Sequence, residues 1–155
     1  MRNKILKNLI LFLFGYCLYI ALEVTWRGFS FVLMGIVGGL AFIFIDKIND
    51  FLSWDVDLLL QGCIGSGFIT FMELLIGEYS KVNPDIIPVM WNYSNMPLNF
   101  DGVICLPFSL LWICLSIVAV FVIDAINYYI LGEKDVIPYY TMFGKHLFSF
   151  TNKVI

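Results

Sequence analysis

Glu73 stands inside an apolar run, Leu58–Ile76, that is long enough to cross a bilayer. An ionisable group so placed costs roughly 2.5–3.5 kcal/mol on insertion scales and by default marks a functional position. Glu23 and Arg27, spaced i,i+4 at the end of an earlier apolar run, are its candidate companions. Arg27 can pair with Glu23 alone, or its planar fork can reach Glu23 and Glu73 together. Two carboxylates and one guanidinium at the mouth of a helix bundle suit a cationic or zwitterionic ligand. The same trio also suits a plain lock between helices. A buried acid able to alternate its charge would further allow proton coupling.

A polar, aromatic stretch follows, Trp91-Asn92-Tyr93-Ser94-Asn95-Met96-Pro97-Leu98-Asn99-Phe100-Asp101-Gly102. Asn and Ser favour local turns, Pro97 removes a backbone donor, and Gly102 permits a turn into the next segment. Trp91 and Tyr93 are odd residues for an exposed loop and are expected to fold back as a lid above Glu73. The plainer reading is an interfacial aromatic anchor. Tyr16, Tyr19 and Glu23 share one helical face, which turns Tyr19 toward the same place. The candidate ligand-binding set is therefore Glu73, Arg27, Glu23, Trp91, Tyr93, Asn92, Asn99 and Tyr19.

The elements that must position these residues follow from composition. The 155-residue chain is 61% hydrophobic and 14% charged, with a mean hydropathy of +0.89. Soluble domains sit near 45–50% apolar and about 25% charged, and so short a chain cannot hide the excess in a core. Four segments approach or reach spanning length: about 5–24, a short 29–45, 58–76 and 103–123. They imply an all-α polytopic membrane protein, a four-transmembrane-helix bundle forming a single membrane domain over residues 1–155. An outer loop covers 78–102, and a tail over 132–155 is expected to lie against the inner headgroups. The N-terminal run lacks a small-x-small cleavage site and reads as a retained first helix.

Lysine and arginine placement sets the expected orientation. Arg2, Lys4, Lys7, Lys47, Lys134, Lys145 and Lys153 fall on one side and only Arg27 and Lys81 on the other. Both termini are then cytoplasmic, and Glu23, Arg27, Glu73, Glu78 and the 81–101 loop gather at the outer end. On the third segment, Gly62, Ser66, Thr70, Glu73 and Gly77 share a face that reads equally as a packing seam or a polar cleft. Gly35 and Gly39 fit a close helix crossing, and Asp57 is placed to cap the third helix.

Cys17, Cys63, Cys105 and Cys114 show no CxxC spacing, and no His/Cys cluster suggests zinc. No cofactor or metal site is expected. A net charge of −3 without a basic stripe argues against nucleic acid, and the bilayer is the certain partner.

Several of these residues carry a resemblance. Glu73, Trp91-Asn92-Tyr93-Ser94, Pro97, Asn99, Gly102-Val103-Ile104-Cys105-Leu106, Phe108-Ser109-Leu110 and Trp112 resemble a pattern of small bacterial membrane proteins, the type IV (CmpB-like) ABC-transporter permease family. Arg27-Gly28-Phe29-Ser30 is similar to an upstream element of the same proteins. The resemblance covers roughly residues 15–125. Asn92 stands where the family's W-D-Y-S element has aspartate, which removes a charge from the mouth.

The resemblance implies a multi-pass protein of the bacterial cytoplasmic membrane that serves transport. No GxxxxGK[ST] phosphate loop occurs here, so an ATPase would be a separate chain; a homo-oligomer is the other arrangement expected. An enzyme acting on a lipid substrate competes with this reading, but the sequence lacks a nucleophile–base pair and its lone His146 lies in the tail. An accessory, pore-forming or immunity protein is the third class.

Overall fold

The computed structural model describes residues 4–132 and 136–151, and its frame is four long helices. These are α1 (Lys4–Arg27), α2 (Val32–Phe51), α3 (Leu58–Val82) and α4 (Leu106–Ala125), the last continued by a π turn over Ile126–Leu131. Each is long and apolar enough to cross a membrane. Helices satisfy their own backbone groups, as a spanning segment must. Side chains such as Leu13, Phe71 and Leu110 remain about half exposed on the outside of the bundle, as lipid rather than water allows.

Small residues set the helix pairing. Gly15, Gly35, Gly38 and Gly39 bring α1 and α2 into backbone contact, with Tyr16 against Gly35 and Phe12 against Gly39. The face Gly62–Gly77 of α3 is a seam against α4: Gly62 meets Ile113 and Ile117, and Gly65 meets Ser116. Ser66 Oγ donates to the Ser109 carbonyl at 2.7 Å and Thr70 Oγ1 to Ser109 Oγ at 3.3 Å. α2 lies against both α3 and α4, whereas the backbones of α1 and α4 stand apart. That leaves a slot down one side of the bundle.

Helix limits depart from the hydropathy pattern where side chains, not apolarity, decide. Gly28, at φ +82°, takes the chain out of α1, and α2 starts three residues later than expected. It then runs past Ile45 to Phe51 because Asp46 is satisfied inside the bundle. Its carboxylate meets Lys7 and Lys47 at 3.0 Å each and accepts from Asn127 Nδ2 at 2.6 Å. The π turn brings Asn127, fully buried, to that position. α3 is capped by Asp57, whose Oδ1 accepts from the Leu59 amide at 2.9 Å. It continues to Val82, so Lys81 belongs to its last turn rather than to the loop.

Two antiparallel strand pairs complete the described residues: β1 (Asn99–Phe100) with β2 (Ile104–Cys105), and β3 (Tyr139–Met142) with β4 (Lys145–Ser149). Within the tail, residues 139–149 form this second hairpin, folded onto the end of the bundle. Tyr140 is buried against Phe121 and donates to Asp124 at 3.0 Å, while Tyr139 donates to Asp55 at 2.7 Å. Burial, then the Asp124 carboxylate, pushes the Tyr140 phenol well above its usual range. Lys4, Lys7, Lys47 and Lys145 all lie at the hairpin end, and Arg27 and Lys81 at the other. Arg2, Lys134 and Lys153 lie outside the described residues.

A Cβ at Gly38 would come within 2.5 Å of both the Gly15 carbonyl oxygen and Tyr19 Cβ. Overpacking at such a contact costs about 1–3 kcal/mol. Gly38→Val should therefore lower the thermal midpoint of the detergent-solubilised protein, and an unchanged midpoint would show that α1 and α2 separate freely.

Candidate functional site

At the end opposite the hairpin, α1, α3, α4 and the 83–105 loop surround a cavity of about 460 Å³. Glu73 stands in its wall, 2% exposed, with its side chain turned into the bundle. α3 places it there because Gly77 and Thr70, a turn away on either side, lie against Val103 of the following loop and Ser109 of α4. The small-residue face is thus both things the sequence allowed: a seam along most of its length and a polar wall at Glu73.

The carboxyl of Glu73 accepts a 3.4 Å hydrogen bond from the Tyr19 hydroxyl. Tyr19 in turn stacks on Trp112, with ring centroids 5.2 Å apart. The Trp112 indole Nε1 is buried and faces the same carboxyl without closing a hydrogen bond.

Arg27 does not fork to Glu73. Its Nη2 bonds Glu23 at 2.9 Å, its Nη1 donates to the Met90 carbonyl at 2.9 Å, and its Nε donates to the Phe29 carbonyl at 3.3 Å. The guanidinium also lies 4.6 Å from the centre of the Phe29 ring. Helical geometry decides this outcome, since Glu23 is one turn back on the same face, whereas Glu73 sits deeper and on another helix. Ser30 adds a 2.6 Å hydrogen bond to the same Glu23 oxygen. The cavity therefore holds one neutralised carboxylate, Glu23, and a second, Glu73, with no basic partner among the described residues. Glu78 points elsewhere and pairs with Lys81 at 3.4 Å.

The loop does fold back. Met90 and Trp91 are buried, and Arg27 ties the loop to α1 through the Met90 carbonyl. Tyr93 stacks on Phe108 at 4.8 Å and lines the cavity. Burial, with the Glu73 carboxyl behind it, pushes the Tyr93 phenol well above its usual range. Tyr93 thus faces the cavity as a neutral hydroxyl.

The two asparagines divide. Asn92 touches the cavity, but its Oδ1 is occupied by the Ser94 amide at 3.1 Å and the Ser94 hydroxyl at 2.7 Å. Asn99 is not in the cavity wall. Its side chain donates to the Met96 and Ser94 carbonyls at 2.8 and 3.4 Å and accepts from the Gly102 amide at 3.0 Å. Asn99 is thus a knot inside the loop. It holds the turn in which Leu98, Asp101 and Gly102 all take positive φ, a conformation costly for Leu and Asp. Outside this turn Lys81 reaches Asp101 at 2.7 Å and the Asp101 main-chain carbonyl.

Seven of the eight expected residues line one cavity: Tyr19, Glu23, Arg27, Glu73, Trp91, Asn92 and Tyr93. Sequence reasoning left out Trp112, Phe108 and Trp26, which complete the aromatic wall. Trp112 and Ser109 share a face at helical spacing, a signal that pointed inward without naming the neighbour.

The arrangement fits what a comparison with protein families finds. A family model described as "Putative ABC-transporter type IV" matches residues 10–150. The chain belongs to that family. The match takes in most of α1, the other three spanning helices, the aromatic loop and the C-terminal hairpin. No curated protein and no solved structure matches the chain.

For the family member seen here, the integrity of the loop rests on Asn99. Asn99→Ala removes three hydrogen bonds and should lower the local opening free energy by about 1–3 kcal/mol. Amide exchange at Tyr93 and Gly102 would then speed up while α1 and α2 stay protected. Unaltered exchange at Gly102 would show that the side chain does not hold the loop.

Proposed function

We propose that this protein is a permease component of a transport system in the bacterial cytoplasmic membrane, and that it engages a cationic ligand in the loop-end cavity. The carrying observation is Glu73: a buried carboxyl with hydroxyl and indole donors near it, aromatic faces around it, and no described basic partner. An acidic group with such walls suits an organic cation, because aromatic faces attract positive charge by about 0.5–2 kcal/mol each when desolvated. The Glu23–Arg27 pair adds no net charge. It instead positions the Met90–Tyr93 lid over the ligand.

The cavity faces out of the cell in this reading, since the lysine-rich hairpin end matches the cytoplasmic side under the positive-inside rule. A separate ATPase subunit would dock at that end, in keeping with the family's name and the lack of a phosphate-binding loop. A homo-oligomer in the membrane is compatible with the same arrangement.

The test is a thermal-shift series on the purified full chain with ethylammonium, choline and spermidine. Ligand at about 100 times its Kd stabilises the native state by about 2.7 kcal/mol. Wild type should shift with at least one of these cations. Glu73→Gln should lose the shift, and Asp101→Asn, in the exposed turn, should keep it. A shift of equal size in Glu73→Gln would overturn the assignment of the ligand to this carboxyl.

A further inference from the structure

The cavity borders a second space below it. Tyr19, Leu22, Trp112 and Leu115 form its lower wall and also the upper wall of a second, narrower space of about 140 Å³. That space is the slot between α1 and α4. Its sides are Gly15 and Leu18 on α1 and Val118 and Ala119 on α4, and its floor is Ala41 and Phe42 of α2. From Leu22 to Gly15 it runs about 10 Å along the helix axis. Apart from Ser116 and the Tyr19–Trp112 junction, its lining is hydrocarbon.

Resting on the cation reading of the cavity, we infer that the ligand is a lipid-like amphiphile: an ammonium head group beside Glu73 and a hydrocarbon chain lying in the α1–α4 slot, entered sideways from the membrane. Three observations carry it. First, the cavity that holds Glu73 and the apolar slot adjoin across Tyr19, Leu22, Trp112 and Leu115, so one molecule with a charged head and an apolar tail fills both once those side chains part. Second, the backbones of α1 and α4 stand apart below the Tyr19–Trp112 stack and Val118 on the rim is 51% exposed, so the slot opens to the acyl chains of the surrounding leaflet.

Third, two buried polar atoms at these walls lack a close hydrogen-bond partner: Trp112 Nε1, turned toward Glu73 at the junction, and Ser116 Oγ, set against Gly65 one turn deeper. Burying such groups unpaired is costly. An ester or amide linkage between head and chain would present an acceptor at the level of the indole N–H. A hydrophilic cation alone would leave the slot and both atoms unused.

Alkylammonium ions separate these cases. Binding of ethylammonium, octylammonium and dodecylammonium is measured on the full chain in nanodiscs of neutral phosphatidylcholine, each corrected for partition into empty nanodiscs. Wild type should bind octylammonium at least about tenfold more tightly than ethylammonium, as apolar burial of the added methylenes requires. Val118→Trp fills the slot from the α4 rim and should abolish that gain while ethylammonium binding is kept. Leu18→Trp does the same from α1 and stands in if the first variant does not fold.

Ethylammonium binding with no chain-length gain in wild type overturns the slot and leaves the cation site standing. Failure of every cation, short or long, overturns both. A chain-length gain that survives both tryptophan variants also overturns the slot. So does native mass spectrometry showing a second copy whose association Val118→Trp breaks, since the slot would then be a subunit interface.

Discussion

A carboxyl group inside a membrane-spanning bundle has to find its hydrogen-bond donors on other helices, and Glu73 organises the loop end on that account. Its donor comes from Tyr19 on α1, and the Trp112 indole on α4 is turned toward it beyond hydrogen-bonding distance. Neither side chain comes near it unless the helices approach closely elsewhere. The approach is supplied by glycine: Gly15 and Gly38 let Tyr19 sit against α2, and Gly62 and Gly65 let α4 settle on α3. The same contacts that hold the bundle together thus fix the geometry of the cavity, and a bulky residue in either seam would move its walls.

The hairpin end solves the same problem by different means. Asp46 is also buried, but two lysines and an asparagine close around it, and its charge is answered in full. Two acids, similarly hidden, therefore differ in what they leave available. Asp46 is a staple joining α1, α2 and the π turn. Glu73 keeps neutral donors only, and those suit a wall that must also receive something else. The β3–β4 hairpin packs on the stapled end through Tyr139 and Tyr140.

The loop between α3 and α4 is braced by its own side chains. Asn99 and Asn92 spend their side chains on neighbouring backbone, and Lys81 holds the turn from outside through Asp101. The Lys81 ammonium keeps the Asp101 carboxyl below its ordinary range, so this outer tie persists through neutral pH and weakens only in acid. Both groups are exposed, and the pair is correspondingly modest. A loop so braced, and tied to α1 through Arg27 and to α4 through the Tyr93–Phe108 stack, presents Trp91 and Tyr93 to the cavity.

The sequence by itself determined the four spanning helices, the crossing at Gly35 and Gly39, the cap at Asp57 and the gathering of Glu23, Arg27, Glu73 and the aromatic loop at one end. Periodicity and hydropathy are local properties of the chain, and each of these follows from them. Only the tertiary structure decided that Arg27 spends its fork on Glu23 and the Met90 carbonyl rather than on Glu73, because that depends on depth and distance between helices. It also decided that Asn99 braces the loop instead of lining the cavity, that Asp46 extends α2, and that residues 139–149 form a hairpin. Those outcomes turn on which distant groups happen to lie within hydrogen-bonding reach. Spacing along one chain cannot express that, because a contact between helices is a matter of three-dimensional register.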